Sequence, residues 1–252
     1  MKILLTIAYD GTAYAGWQRQ ENAIAVQQKL EEALSLLLKR NVQVAGASRT
    51  DAGVHALGQR ACFTAEDLRV PLDKLPMVMA GFLPQDIAVT DAIVVPDNFS
   101  PRFDAVQKTY VYNIYNTPNP LLARYNAFVP RNLNIKNMQK AATAFVGRHD
   151  FAAFCATGSS AKTTVREVYA CSVMQQANGV TSMTITGNAF LYNMVRIIAG
   201  TLLYVGIGRV VPAEIPNIIA SQNRKLAGKT MPPQGLTLLN IEYFLDKPPT
   251  VG

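Results

Sequence analysis

One short loop concentrates residue types that perform acid–base and nucleophilic chemistry. The stretch G-A-S-R-T-D-A-G-V-H-A, residues 46–56, places Arg49, Asp51 and His55 among small side chains. An aspartate here can act as a nucleophile or a general base, because small neighbours let a ligand approach closely. The simpler interpretation, and on local grounds the more common one, is that Asp51 caps a turn at Ala52-Gly53. We interpret His55 as a packing residue of this loop.

A single arginine interrupts an otherwise apolar segment downstream. Arg196 is the only charged residue between Phe190 and Val205. A buried guanidinium without a carboxylate is strongly destabilising, so this side chain either reaches the surface or pairs with an acid. We favour Asp51 as that acid, because an arginine partner would also keep the carboxylate ionised for chemistry.

The segment K-T-Y-V-Y-N-I-Y-N, residues 108–116, alternates like a strand. The alternation places Tyr110 and Tyr112 on the same face. An aromatic stripe on a strand most often packs in a core. Because Lys108 and Arg102 lie close by in the sequence, we interpret the tyrosines as exposed platforms for nucleotide stacking.

Composition indicates a soluble intracellular protein with an anionic partner. The 252 residues include 24 Lys and Arg against 17 Asp and Glu, a net charge of +7. Nucleic acid is the first candidate partner, although net charge alone does not name it. Three widely spaced cysteines and two histidines predict reduced thiols and no metal site. The sixteen apolar residues at 190–205 are short for a membrane span, so we expect no membrane contact and a cytoplasmic location.

Hydrophobic periodicity predicts an α+β protein built in two rounds. A seam near residues 100–106 divides the chain into domains at 1–105 and 106–252. The tail after Asp246 is expected to be loosely held. The predicted strands are 2–9, 42–47, 60–64, 87–95, 109–116, 164–175, 180–187 and 236–244. The predicted helices are 24–39 with Asn22 as N-cap, 72–82, 135–146, 189–205 and 212–221.

Six motifs then identify a family. They are Y-D-G-T-A-Y-A-G-W-Q-R-Q (9–20), S-R-T-D-A-G-V-H-A (48–56), F-S-P-R-F (99–103), K-T-Y-V-Y (108–112), N-A-F-L-Y-N-M-V-R (188–196) and G-L (235–236). Together they closely resemble the tRNA pseudouridine synthase A family over nearly the whole chain. The resemblance implies two ferredoxin-like halves with antiparallel sheets joined side by side, helices on one face and an active-site cleft between the halves. It also implies a homodimer without cofactor or metal.

The resemblance further assigns roles to residues. Asp51 falls on the family's essential aspartate, Tyr110 on its substrate-stacking tyrosine, and Arg196 on the basic residue that pairs with the aspartate. Ser48 departs from the family, since many members have glycine there, but a small residue leaves the assignment intact. The basic candidates for binding substrate within the motifs are Arg19, Arg49, Arg102 and Lys108.

The implied activity converts uridine to pseudouridine at nucleotides 38, 39 and 40 of the tRNA anticodon stem-loop. The sequence leaves three routes open: the carboxylate attacks C1′, attacks C6, or removes the C2′ proton. A paired base in a stem cannot present C1′ or C6, so the nucleotide is expected to flip out and stack on Tyr110, whose hydroxyl would assist proton removal from C5. Arg49 would fill the vacated stack or hold a phosphate.

Two other interpretations remain open at this point. Ferredoxin-like sheets with aromatic stripes also occur in RNA-binding modules without catalytic activity. A synthase that acts on other uridines would carry the same residue types. An enzyme acting on small molecules is disfavoured, because the sequence has no phosphate loop and no nucleophile–histidine motif.

Overall fold

In the computed structural model, which describes residues 1–245, strands and helices alternate in two rounds. The first round consists of β1 (Lys2–Tyr9), α1 (Val26–Leu38), β2 (Ala45–Gly46), β3 (His55–Thr64), α2 (Leu75–Met79) and β4 (Ile87–Val95). The second consists of β5 (Ala105–Tyr115), β6 (Ala127–Phe128), α3 (Ile135–Ala142), β7 (Gly147–Asp150), β8 (Val165–Gln175), β9 (Thr181–Gly187), α4 (Met194–Gly206), α5 (Ile215–Ala220) and β10 (Leu236–Tyr243). The tail after Asp246, expected to be loosely held, lies outside the described residues.

The first round has the strand–helix–strand–strand–helix–strand order of a ferredoxin-like unit, and the second has the same order with β6, β7 and α5 added to it. The first unit has the strand order β4-β1-β3-β2, and the second has β10-β5-β9-β8 with β7 at its edge. The two units form one ten-stranded sheet, because β10 pairs in parallel with the start of β3 while β2 pairs with its end. The predicted α+β fold with two sheets joined side by side is confirmed.

The main hydrophobic core lies on the helical face of this sheet. Ile3, Leu5 and Ile7 of β1 are fully buried in it together with Leu30 of α1. Successive strand residues point to opposite faces, so the intervening residues of β1 face away from this core. The opposite face carries a small separate core made of Leu4, Cys62, Val95 and Phe99.

Several predicted elements agree with the structure. The strand predicted at 87–95 has the bounds of β4, and the Asn178-Gly179 turn joins the antiparallel strands β8 and β9. Gly179 has a positive φ of 82°, a conformation that glycine adopts at low cost. The Asn-Gly pair predicted this hairpin correctly because the turn requires a positive φ at the glycine.

Other boundaries were wrong. The predicted cap Asn22 is not used, since α1 starts after Ala25, which makes no side-chain capping bond. The strand predicted at 42–47 is reduced to the two residues of β2. Conversely, β3 begins at His55, which is therefore a strand residue and not part of the loop.

The start of α4 was also predicted wrongly. The helix was predicted from residue 189 but begins at Met194, after Asn193 in the left-handed conformation with φ of 60°. Asparagine tolerates this conformation better than most residues do. The apolar pattern alone did not separate the irregular segment 188–193 from the helix that follows it.

Candidate active site

An ion pair between the two units marks the candidate site. Arg196 Nη1 lies 3.1 Å from Asp51 Oδ2, and the side chains are 15% and 32% exposed respectively. The guanidinium is fixed by two further acceptors, the Met231 carbonyl at 2.7 Å from Nε and Asn193 Oδ1 at 2.6 Å from Nη1. Asp51 therefore faces a cation whose orientation is already set, and it keeps solvent-accessible surface for a ligand.

Strand β5 holds the loop that leads to Asp51. Lys108 Nζ donates to the Ala47 carbonyl at 2.8 Å, and the Tyr110 hydroxyl lies 2.9 Å from Ser48 Oγ. Lys108 and Tyr110 are two positions apart on one face of the strand, so they bind two successive loop residues. Because β5 belongs to the second unit and the loop to the first, these contacts fix the loop across the junction.

The first motif of the sequence supports the same loop from behind. Tyr9 and Thr50 hydroxyl oxygens lie 2.7 Å apart, and the Trp17 amide donates to the Thr50 carbonyl at 3.1 Å. Gly16 has φ of 92°, and a Cβ there would collide with the Thr50 carbonyl oxygen. The motif at 9–20 thus acts as a scaffold on which the Asp51 loop rests.

The segment after Met231 connects Arg196 to the other side of the loop. Its Pro232 carbonyl accepts the Tyr112 hydroxyl at 2.7 Å. Pro233 packs against Gly53, where a Cβ would lie 3.0 Å from the proline ring. Gly53 has φ of 76°, so glycine meets both the conformational and the steric requirement at this position.

The tyrosines of β5 are buried, which corrects the expectation of exposed platforms. Tyr110 is 5% exposed and Tyr112 is fully buried. The Phe190 ring packs against that of Tyr110 nearly at right angles, with centroids 5.3 Å apart. The pKa of Tyr110 is raised to about 12, because burial outweighs the lowering effect of the Ser48 hydrogen bond and the nearby Asp51 charge acts in the same direction as burial. Its hydroxyl is therefore protonated near neutral pH.

The basic candidates occupy different environments. Arg49 is exposed on the loop, beside the anchored residues. Arg102 is also exposed, with its guanidinium 5.4 Å from the Phe103 ring centroid. Arg19 is 58% exposed and pairs with Glu31 at 3.0 Å.

Lys108 is not an exposed phosphate contact. It is 9% exposed, and its ammonium donates to the loop carbonyl described above. Burial, helped by the nearby Arg102 charge, lowers its pKa to about 8. The structure makes this lysine a support for the loop.

His55 lies behind the loop, as a buried strand residue at 3% exposure. Its Nδ1 lies 3.1 Å from both the Gly11 amide nitrogen and Asp10 Oδ1. The neutral ring accepts from Gly11, whereas a protonated ring would donate to Asp10. Burial lowers the pKa of His55, outweighing the opposite effect of Asp10 and of the Gln234 and Arg124 carbonyls.

Three contributors to the site were not identified from the sequence. Ser48 was interpreted only as a small residue. The Met231 carbonyl is a backbone group, so the residue type gives no indication of its role. Asn193 lies within the recognised N-A-F-L-Y-N-M-V-R motif, and its left-handed tolerance was a usable signal. To predict its hydrogen bond with Arg196, three residues later, one would have to know where α4 begins, and that position was predicted wrongly.

Residues 1–245 form neither a metal cluster nor a membrane-spanning helix. No three His, Cys, Asp or Glu side chains lie together there so as to hold a metal ion. Burial raises the pKa of Cys62 to about 11 and that of Cys171 to about 12, so both thiols stay protonated and are poor nucleophiles. No helix in this part of the chain is long and apolar enough to cross a membrane.

Comparison with known proteins identifies the family of the chain. The family model described as "tRNA pseudouridine synthase" matches residues 5–104 and 141–244. The tRNA pseudouridine synthase A of Ruminiclostridium cellulolyticum is 49% identical over 244 residues, covering 96% of this chain and 99% of that protein. The protein of the same name from Caldicellulosiruptor bescii is 47% identical over 243 residues, with the same shares covered.

A solved Cbf5–Nop10–Gar1 complex overlaps 94% of this chain and 48% of its own chain, at 11% identity and a TM-score of 0.42. That overlap is too loose to carry an argument. The family model and the relatives are stronger evidence than this structural overlap. They match residues of both units, including the Asp51 loop and Arg196. The chain therefore belongs to the tRNA pseudouridine synthase family and is an RNA pseudouridine synthase, an isomerase.

Proposed function

We propose that this enzyme isomerises uridine to pseudouridine at nucleotides 38, 39 and 40 of the tRNA anticodon stem-loop, with Asp51 as its essential carboxylate. The observation that carries the proposal is the Asp51–Arg196 ion pair, which holds a partly exposed carboxylate at the junction of the two units. Both domains contribute. Residues 1–105 supply the Asp51 loop, and residues 106–252 supply Tyr110 and Arg196.

The reaction conserves all atoms of the nucleotide. The C1′–N1 bond breaks, the uracil turns while still bound, and a C1′–C5 bond forms. C5 loses its proton and N1 gains one. Asp51 takes part by attacking C1′, by attacking C6 or by removing the C2′ proton, and in each route it ends as the free carboxylate. Arg196 stabilises that carboxylate before and after the cycle.

The target nucleotide has to leave the stem before this chemistry starts. A stacked and paired uridine cannot bring C1′ or C6 to a carboxylate, so the nucleotide flips out into the site. Arg49 is suited to assist, since it is exposed while its neighbours Ser48 and Thr50 are hydrogen-bonded to tyrosines. It either fills the vacated stack or holds the displaced phosphate.

Tyr110 stacks on the flipped uracil in this proposal. Because the ring is 5% exposed, stacking requires neighbouring side chains, Phe190 among them, to move away from it. The hydroxyl is protonated at neutral pH, so it can assist at C5 only by accepting that proton while it passes its own proton on to solvent. Tyrosinate is not the base.

The structure argues against an RNA-binding module without activity. A partly buried carboxylate that faces an anionic ligand weakens binding, and a pure binder has no use for it. A synthase for other uridines carries the same catalytic residues, so target choice has to be measured. We also propose that the protein is a cytoplasmic homodimer, which light scattering coupled to size exclusion tests directly.

The decisive experiment maps the product. Unmodified tRNA transcripts are incubated with the enzyme, in the presence and absence of EDTA, and pseudouridine is located by carbodiimide treatment and primer extension. We expect stops at nucleotides 38, 39 and 40 under both conditions. Modification confined to other uridines, or dependence on a metal, would contradict the proposal.

A further inference from the structure

The net positive charge of the protein comes entirely from its second half. Residues 1–105 contain 10 Lys and Arg and 12 Asp and Glu, a net charge of −2. Residues 106–252 contain 14 basic and 5 acidic residues, a net charge of +9. Since these two values add up to the total of +7, the attraction for an anionic partner originates in the second half.

Few of these cations are neutralised by ion pairs. Among the described residues, the second half forms two ion pairs, Arg124 with Asp10 and Arg196 with Asp51. Both carboxylates belong to the first half. The other basic side chains of residues 106–245 have no described carboxylate within 4 Å. Those of them that are exposed are available to an external anion, whereas Lys108 is buried and Arg224 is bound within its own loop.

One loop combines this charge with proximity to the site. No acidic residue occurs between Glu214 and Glu242, and residues 223–230, which we call the basic loop, contain Arg224, Lys225 and Lys229. Both lysines are exposed. Arg224 instead shapes the loop, since its guanidinium donates to the Gly228 carbonyl at 2.8 Å and to Thr230 Oγ1 at 3.1 Å.

The basic loop is fixed along α4, the helix that carries Arg196. A Cβ on Gly200 would collide with the Lys229 carbonyl oxygen, and the Gly228 amide donates to Thr201 Oγ1 at 2.8 Å. Just after the loop, Met231 both donates its amide to the Arg196 carbonyl, at 3.2 Å, and accepts from Arg196 Nε. Thr201 is five residues beyond Arg196, which is about 7.5 Å along a helix.

We propose that the basic loop binds the phosphodiester backbone of the RNA substrate through Lys225 and Lys229. The inference rests on the proposed function and adds a binding surface outside the motifs that contain Asp51, Tyr110 and Arg196. An RNA held there is fixed relative to Arg196, because the loop and α4 share a close backbone contact. The loop contributes to docking and not to the chemical step.

The test uses the double variant Lys225→Ala/Lys229→Ala of the full chain. Its control is Lys74→Ala, which removes an exposed lysine of the first half that pairs with Asp73. Binding of unmodified tRNA is measured over a salt series, together with the rate of pseudouridine formation at saturating tRNA. We expect the double variant to bind tRNA several-fold more weakly. The slope of log affinity against log salt concentration should fall by about one for each phosphate that a lysine no longer neutralises. The rate of pseudouridine formation at saturating tRNA should be unchanged.

Each outcome has a separate meaning. Wild-type affinity and slope in the double variant, with active wild-type enzyme, would overturn the basic loop as an RNA-binding surface and leave the proposed function intact. Wild-type enzyme that forms no pseudouridine would instead refute the proposed function. A loss of affinity for poly-glutamate with unchanged tRNA binding would assign the loop to an acidic protein and also overturn the inference.

Discussion

Arg196 and Asp51 are 145 residues apart in the chain, yet Arg196 Nη1 lies 3.1 Å from Asp51 Oδ2. The pair joins a helix of the second ferredoxin-like unit to a loop of the first. Because Arg196 is 15% exposed and Asp51 32%, solvent screens this pair less than it screens a surface ion pair. We propose that the pair has both a structural and a chemical role.

Removing the guanidinium should affect both roles. Arg196→Met leaves Asp51, Asn193 and the Met231 carbonyl without their shared donor, so we expect a strong loss of turnover and a loss of about 1–3 kcal/mol in the free energy of unfolding. Single-turnover kinetics and thermal melts measure these effects. Arg209→Met, an exposed arginine just beyond the same helix, is the control. A wild-type rate and melting temperature in Arg196→Met would show that the pair is dispensable.

The Tyr110 hydroxyl can act through the loop or on the substrate, and two variants separate these effects. Tyr110→Phe and Ser48→Ala each remove the 2.9 Å contact between the two hydroxyl groups. Both should bind tRNA normally. If the hydroxyl only positions the loop, both should lose turnover equally; if it acts at C5, as we propose, Tyr110→Phe should lose much more.

Tyr110→Ala tests stacking itself. It should weaken productive binding by a further 1–3 kcal/mol or so relative to Tyr110→Phe, because it also removes the aromatic surface. Equal KM and equal tRNA affinity in the alanine and phenylalanine variants would contradict stacking on the flipped uracil.

Substitutions of Arg49 and of Lys108 should have different effects, because Arg49 is exposed whereas Lys108 is buried and supports the loop. Arg49→Ala should reduce turnover far more than tRNA affinity, because flipping follows docking. Lys108→Met should lower the melting temperature and the turnover without changing the salt slope, because its ammonium holds the Ala47 carbonyl. Rates and affinities over a salt series decide both points. An Arg49→Ala variant that shifts only affinity would make this residue an ordinary phosphate contact.

The sequence predicted the parts of the site that depend on side-chain chemistry. An isolated arginine in an apolar segment required an acid, and a carboxylate among small residues was the suitable one. The β-strand pattern was similarly reliable where turn residues and alternation agreed, as around Asn178-Gly179. These signals are local, so they can be read without the fold.

The burial of the β5 side chains could not be predicted from local sequence signals. Alternation placed Lys108 and Tyr110 on one face, but whether that face met solvent depended on the Ala47 carbonyl and the Ser48 hydroxyl, about sixty residues earlier in the chain. Burial of a lysine also ran against the usual preference of this residue type. The role of the Met231 carbonyl as an acceptor for Arg196 could not be predicted either, because it depends on the path of the chain and not on the residue type.

The buried His55 predicts a pH-dependent stability. Its pKa lies below the ordinary 6.5, so as the pH falls below that value the unfolded chain takes up a proton that the folded chain does not. Stability therefore falls on acidification, by at most about 1.4 kcal/mol for each pH unit. The charged or titratable groups around the ring are Asp10, which accepts hydrogen bonds, Arg124 and Tyr125.

Thermal melts from pH 7.5 to 5.5 measure this effect. His55→Gln should flatten the acid side of the profile. His149→Gln, which replaces the other histidine of the chain, should retain it. An unchanged pH profile in His55→Gln would show that this ring is not the group that titrates.

The central claim is that the Asp51 carboxylate performs the chemistry. Asp51→Asn is nearly isosteric and should keep tRNA affinity within a few-fold, because docking uses phosphate contacts elsewhere. Tritium release from tRNA labelled at C5 of uridine measures turnover directly, since forming pseudouridine expels that hydrogen. We predict no release above background from Asp51→Asn under conditions in which the wild-type enzyme runs to completion. Substantial release from the asparagine variant would contradict the account.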